Sequence, residues 1–255
     1  MDKLYILKRS LKNNHKNNMI YNIKLTKKEE IANGTMAFYW EKPAGFEFVA
    51  GQFCDITLIN PPETDEEGNT RGFSLAHAPY ESNIVTATRM RDTAFKRVLK
   101  NLPIGTEVKF DAPYGDFKLH KNETTPAVFL IGGIGITPVR SIIAQASHDH
   151  LPHKITLLYS NKTPADAAFT ADMVGFAKEN QNFIFIPVYT DTPETEWSGE
   201  SGYIDDAMLK RYILDIAIPI YYLSGPVGMV KAMREMLMKA GANEDNIRTE
   251  EFSGY

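Results

Sequence analysis

The sequence predicts two domains in tandem: a small antiparallel β-barrel of about six strands, followed by a doubly wound α/β domain on a parallel sheet. Three observations carry that expectation. From Tyr21 to Lys121 the chain reads as short alternating strands broken by Gly- and Pro-rich turns. After Lys121, apolar runs alternate with helical periodicities. At 255 residues the chain can bury two cores.

Residues 1–18 are expected to be an extension outside the fold, because the regular pattern starts only at Met19. They are basic (Lys3, Lys8, Arg9, Lys12, Lys16) and lack an apolar stretch that would make a signal peptide. A docking role is the alternative. Residues 19–121 then form the barrel. Tyr21, Ile23 and Leu25 alternate with polar residues, and Thr35–Trp40 is rich in strand formers. A turn at Lys42–Gly45 leads to a strand over Gly51–Leu58. Residues 60–70 carry two prolines, four acids and Gly68, and read as an exposed loop. Strands follow at Phe73–His77 and Ile84–Arg89, a helix at Ala94–Lys100 and a strand at Glu107–Phe110. That helix is expected because Phe95, Val98 and Leu99 share one face.

Residues 122–255 form the second domain. Ala127–Ile131 is an uninterrupted apolar run, as in a parallel strand buried on both faces. Helices are expected from Pro138 to about Ser147, at Ala165–Glu179, Ile204–Leu214 and Met229–Ala240. Strands are expected at Ile155–Tyr159, Phe183–Val188 and Ile220–Leu223.

Composition narrows the function. A net charge of −4 and the lack of an arginine–aromatic tract speak against nucleic-acid binding. The longest apolar run, Ala127–Ile136, is too short to cross a bilayer, so a cytoplasmic location is expected. Cys54 is the only cysteine, which excludes an internal disulfide, a thiolate-held iron–sulfur cluster and a paired-thiol redox site. No metal site is expected: His148, His150 and His153 surround Pro152 in what reads as a solvated loop. If the protein moves electrons, the carrier is an organic cofactor.

Three segments carry chemistry: Arg71-Gly72-Phe73-Ser74, Gly132-Gly133-Ile134-Gly135-Ile136-Thr137-Pro138, and Ser224-Gly225-Pro226-Val227-Gly228-Met229. The second and third are glycine-rich turns between a strand and a helix, where backbone amides approach a phosphate. In this order the segments resemble the ferredoxin–NADP⁺ reductase family of flavoproteins, over nearly the whole chain. The resemblance implies that Phe73 lies against a flavin, Ser74 hydrogen-bonds near its N5 and Arg71 contacts a pyrophosphate, with Gly72 inside the motif. It also places the turn Thr88-Arg89-Met90-Arg91-Asp92-Thr93-Ala94 beside the phosphates, although the glycines usual there are missing. Thr88, Arg89, Arg91, Thr93 and Ala94 are therefore candidates, and either Asp92 or Thr93 would cap the helix. Gly115 would turn beneath the flavin, or form a plain β-turn, and Phe117 would pack at the domain junction. FAD is expected rather than FMN.

For the nicotinamide coenzyme, NADH or NADPH, the resemblance implies contacts from Gly132, Gly133, Gly135, Thr137 and Pro138. It adds Gly225, Pro226 and Met229, the last of which also suits plain helix packing. Ser224 stands where the family usually has a cysteine close to nicotinamide C4. Asn161 and Lys162 fall where relatives grip the adenosine half, and Lys162 is equally an exposed loop charge. Tyr203 replaces a frequent arginine, which leans the expectation toward NADH. A terminal aromatic covers the flavin in such proteins; Phe252, following Glu251, is the first candidate and Tyr255 the other. The expected activity is hydride transfer from nicotinamide to FAD, with Ser74, Ser224, Glu251 and Phe252 at the reacting centre. The electrons then pass to a separate acceptor, such as ferredoxin, flavodoxin or a small molecule. The alternatives are the reductase component of a multicomponent oxygenase or similar complex, and a non-catalytic flavin-binding regulator.

Overall fold

A computed structural model of the chain describes residues 19–191 and 197–252. The expected extension over residues 1–18, and Tyr255, lie outside the described residues.

The first half is an antiparallel six-stranded sheet: β1 (Met19–Ala32), β2 (Thr35–Glu41), β3 (Phe53–Leu58), β4 (Thr70–Ser74), β5 (Asn83–Arg89) and β6 (Glu107–Tyr114). Its strand order is β4-β3-β6-β1-β2-β5. Beyond the end of β4 the sheet curls onto β5, where the Ala76 amide donates to the Val85 carbonyl at 2.8 Å. Alternate residues turn inward, so Ile23, Leu25, Phe38, Trp40, Ile56 and Phe110 fill the barrel. Helix α1 (Ala94–Asn101) plugs one end with Phe95, Val98 and Leu99. Thr93, not Asp92, is its N-cap, accepting from the Lys96 amide. β1 runs further than the alternation of Tyr21, Ile23 and Leu25 suggested. Its second half, Thr26–Glu30, is polar and is held by backbone pairing to β2 across two register shifts.

The second half is a parallel sheet of β7 (Ala127–Gly132), β8 (Ile155–Asn161), β9 (Phe183–Tyr189), the two-residue β10 (Glu200–Ser201), β11 (Ile220–Pro226) and β12 (Ile247–Phe252). Its order is β10-β9-β8-β7-β11-β12. Helices α2 (Ile136–His148), α3 (Thr170–Glu179), α4 (Asp206–Tyr212) and α5 (Val227–Lys239) cover its faces. Along β7, Phe129 and Ile131 join one hydrophobic core while Val128 and Leu130 join the other. That is why the run is apolar without alternation.

Several boundaries differ from the expectation. α3 starts at Thr170 rather than Ala165, because a short 3₁₀ turn at Pro164–Asp166 and the left-handed Phe169 (φ 58°) intervene. The chain also closes with a strand the pattern did not predict, β12, parallel to β11.

Two sets of side chains join the halves. Arg140, on α2, donates to Glu81 at 2.6 and 3.0 Å, to Asp172 at 2.6 Å and to the Ala76 carbonyl at 3.0 Å. Beside it the Ser141 hydroxyl donates to the His77 carbonyl at 2.5 Å. On the connecting segment, the Tyr222 hydroxyl accepts from the His120 amide at 2.8 Å and from Arg248 at 3.1 Å. Arg248 also holds the Lys118 carbonyl at 2.8 Å. Burial pushes the Tyr222 hydroxyl up to about 12, against Arg248, so it stays protonated.

The histidine triplet does not form one solvated loop. His148 ends α2 and stacks on Tyr80 at 3.9 Å. His153 is buried, its Nε2 2.9 Å from the His120 carbonyl. Packing against the connecting segment, rather than solvent, determines its place. Among the described residues no group of three metal-ligating side chains forms, and no helix is long and apolar enough to cross a membrane.

Candidate functional site

At the carboxyl ends of β7 and β11 the two glycine turns press against each other. A Cβ on Gly135 would lie 2.4 Å from the Ser224 carbonyl oxygen and 2.7 Å from the Gly225 nitrogen, so only glycine permits this approach. Gly132 leaves room for the Met229 sulfur, which would sit 2.3 Å from an added Cβ. Met229 therefore packs on the turn itself.

Gly133–Gly135 forms a 3₁₀ turn that runs straight into α2. It is fastened by the Tyr159 hydroxyl, which donates to the Gly133 carbonyl at 3.0 Å. Nothing in the sequence marks Tyr159 for this turn: it only opens the Tyr159–Pro164 segment placed near the adenosine half, and an aromatic in an apolar strand reads as plain core. The helix begins at Ile136, earlier than the expected Pro138, so Thr137 and Pro138 fall inside it and are buried. The Thr137 hydroxyl donates back to the Ile134 carbonyl at 3.0 Å and serves the turn.

Ser224 is 0% exposed, and among the described residues its Oγ has no hydrogen-bond partner. Parallel pairing then sets three residues of the last strand beside the turn: Ser224 faces Glu250, Gly225 faces Glu251 and Pro226 faces Phe252. The acidic residue and the aromatic expected at the reacting centre thus lie next to the Ser-Gly-Pro segment. Further along the same sheet edge, Asn161 is buried with its Nδ2 unpartnered. The Lys162 side chain is exposed, while its carbonyl accepts from the Asp191 amide at 2.9 Å. Tyr203 is 83% exposed.

On the barrel, β4 presents the Arg-Gly-Phe-Ser segment along β3, with Gly72 opposite Asp55 and Ser74 opposite Phe53. Ser74 is buried. Phe73 is only 7% exposed and packs on Phe95, ring centroids 5.9 Å apart. The Arg71 guanidinium is drawn into the 60–70 loop, donating to the carbonyls of Glu67, Gly68 and Thr70 at 2.9–3.0 Å and pairing with Asp65 and Glu67, both at 3.0 Å.

At the glycine-free turn, Thr88 is buried, Arg91 is exposed and Ala94 is buried as the first residue of α1. The Arg89 carbonyl accepts from Lys96 Nζ at 2.7 Å. Lys96 is a further cation, which no motif marks. Met90 packs against the barrel core. Gly115 turns the chain at φ 93° against the Phe53 ring, and Phe117 packs edge-on to Tyr222 at 5.5 Å, in the core of the second half.

Cys54 is buried and its thiol donates to the Phe73 carbonyl at 3.4 Å. Burial pushes that thiol well up, which leaves it unreactive. Cys54 is thus no activated nucleophile. The arrangement offers cations on the barrel and close-packed glycine turns on the parallel sheet. Together with the unpartnered Ser224 Oγ and Asn161 Nδ2, these fit a flavin bearing phosphates and a nicotinamide dinucleotide.

Comparison with known proteins agrees. Residues 129–235 match the oxidoreductase NAD-binding domain. The chain is 28% identical over 205 residues to a subunit of the Na(+)-translocating NADH-quinone reductase of Klebsiella pneumoniae, covering 74% of this chain and 50% of that one. It is 27% identical over 219 residues to the reductase component of propane 2-monooxygenase from Rhodococcus jostii, covering 83% and 57%. The chain thus spans about half the length of these relatives. The ferredoxin NADP+ reductase of Neisseria gonorrhoeae, solved with FAD and NADP, superposes with a TM-score of 0.75 at 20% identity, over 91% of this chain and 98% of that one. The chain therefore has the ferredoxin–NADP⁺ reductase-like fold, and its residues 129–235 match the oxidoreductase NAD-binding domain.

Proposed function

We propose that the chain is the NAD(P)H-oxidising flavoprotein module of a reductase component, feeding electrons to a separate protein acceptor within a larger complex. The observation that carries this reading is the register of β11 and β12. It sets Glu251 and Phe252 beside the Ser224–Pro226 turn, which in turn touches Gly135. Both relatives named above are components of larger systems, which favours a dedicated partner over a free small acceptor. In this reading residues 19–121 hold FAD, and residues 122–255 bring the coenzyme to it.

Bound FAD would supply the capacity to take two electrons from a nicotinamide and release them to an acceptor. The chain's own residues bind and orient. The Gly132–Gly135 and Ser224–Gly225 turns accept the coenzyme's diphosphate and nicotinamide ends. Phe252 shields the flavin face from water, and Ser74 offers a hydroxyl near the flavin ring. Alignment of two rings accounts for most of the acceleration such a site needs. The test is to titrate the purified chain with FAD, then add NADH or NADPH anaerobically and follow bleaching near 450 nm (about one flavin per chain). Bleaching by one coenzyme, and reoxidation by a one-electron protein acceptor, is expected. A protein that binds FAD but is reduced by neither coenzyme would refute the reading.

A further inference from the structure

The β5–α1 turn is where this chain leaves the family pattern, since Thr88–Ala94 contains no glycine. Its backbone cannot offer the close amide contacts that glycines allow, and charge gathers there instead. Lys96, in the first turn of α1, is half-buried and folds back so that Nζ donates to the Arg89 carbonyl at 2.7 Å. Among the described residues no carboxylate forms an ion pair with it. Burial, then Arg91 and Arg71, lower its pKa, and Glu67 opposes them weakly.

Arg71 reaches the same place from β4, its guanidinium 5.2 Å from the centre of the Phe95 ring. The ion pairs of Asp65 and Glu67 both go to Arg71, each at 3.0 Å. Asp92 pairs away from the turn with Arg97, at 2.5 Å. The charges of Arg91 and Arg71 both act against that of Lys96, and an anion entering among the three side chains relieves that repulsion.

We propose that Lys96 is a phosphate-binding residue which, with Arg71 and Arg91, replaces the missing glycine amides, and that Asp65 and Glu67 are internal counter-ions which a diphosphate displaces from Arg71. This rests on the flavin reading above. A diphosphate offers several oxygens to a forked guanidinium and an ammonium at once, and so satisfies all three cations where two carboxylates satisfy one. The exchange releases Asp65 and Glu67 from Arg71, while the two ends of the 60–70 loop stay held by Glu63 on Arg97 and Asn69 on Leu58.

The test is FAD binding to the full chain, followed by quenching of flavin fluorescence, with riboflavin as the probe that lacks phosphate. K96M and K96Q should each weaken FAD about ten- to a hundredfold, the worth of one charged hydrogen bond. Riboflavin should bind both variants as it binds the wild type, and K96R should keep most of the FAD affinity. D65N/E67Q should tighten FAD, and adding FAD to the wild type should speed hydrogen exchange of the Glu67 and Gly68 amides. Equal FAD affinity of wild type, K96M and K96Q would overturn the proposal, as would weaker binding by D65N/E67Q. Equal losses of FAD and riboflavin would assign Lys96 a structural role instead and also overturn it. A folded wild type that takes up no flavin would bring down the flavin reading itself, and this inference with it.

Discussion

Removing the Arg140 guanidinium should show how much of the stability of this fold resides in one side chain. Arg140 is 12% exposed and binds two carboxylates and a carbonyl drawn from both halves of the molecule. Burial opposes its charge, but Glu81 and Asp172 outweigh that and hold its pKa above the usual value. Breaking a buried ion pair from one side costs about 3–5 kcal/mol. Glu81 and Asp172 retain 26% and 37% exposure, so water can rescue them in part and the lower end applies. Arg140→Met, which keeps the stem packed near Phe169 and Phe176, should therefore cost roughly 2–3 kcal/mol. For a chain of this length that is a fall in Tm of about 5–10 °C. Thermal and urea melts monitored by circular dichroism measure it. A double-mutant cycle with Glu81→Gln should show coupling, because the two side chains share bonds. A Tm within about 2 °C of the wild type, beyond what the rest of the interface explains, would refute the reasoning.

Three other outcomes follow from buried groups. His77 accepts from the Val85 amide and is lowered to about 3 by burial, with Lys42 and Arg140 adding to the effect. The unfolded chain therefore takes up this proton first: stability contributed here is complete above the ordinary histidine value and falls as pH drops from about 6.5. His77→Gln should flatten the pH 6.5–5 limb of the stability profile by up to about 1.4 kcal/mol per pH unit, and an unchanged slope would contradict it. Ser224 buries an unpartnered hydroxyl, so Ser224→Ala should raise stability by about 1 kcal/mol; a lower Tm would mean that the hydroxyl has a partner. Gly135→Ala sets a Cβ against the Ser224–Gly225 backbone and should cost roughly 2 kcal/mol while raising the KM for the coenzyme. An unaltered KM would separate that turn from coenzyme binding.

Much of the fold was legible because it is written in local pattern. The apolar run Ala127–Ile131 and the glycine heptad after it announce a parallel strand and its phosphate turn within a dozen residues. The last strand was not legible. Ile247–Phe252 has one apolar residue at its start and a charge at Arg248, Glu250 and Glu251, and it is a strand because β11 offers it an edge. The site divides in the same way. Gly135 and Ser224 are marked by motif, but the fact that they touch comes from pairing between segments far apart in sequence. The engagement of Arg71 by Asp65 and Glu67 was hidden because an acidic loop looks the same whether solvated or bound. Lys96 was overlooked because helix periodicity makes it an ordinary exposed position; only the curl of its stem onto the Arg89 carbonyl shows otherwise.

The bolts at Arg140 and Tyr222 have a mechanical consequence. With α2 fastened to the barrel at one place and the connecting segment fastened to the sheet at another, a wide hinge would have to tear out buried polar contacts at both. In the proposed reading, coenzyme would then enter through movements of single side chains and short loops. The two halves form a rigid frame, and any adjustment to a bound ligand falls to its smaller fittings.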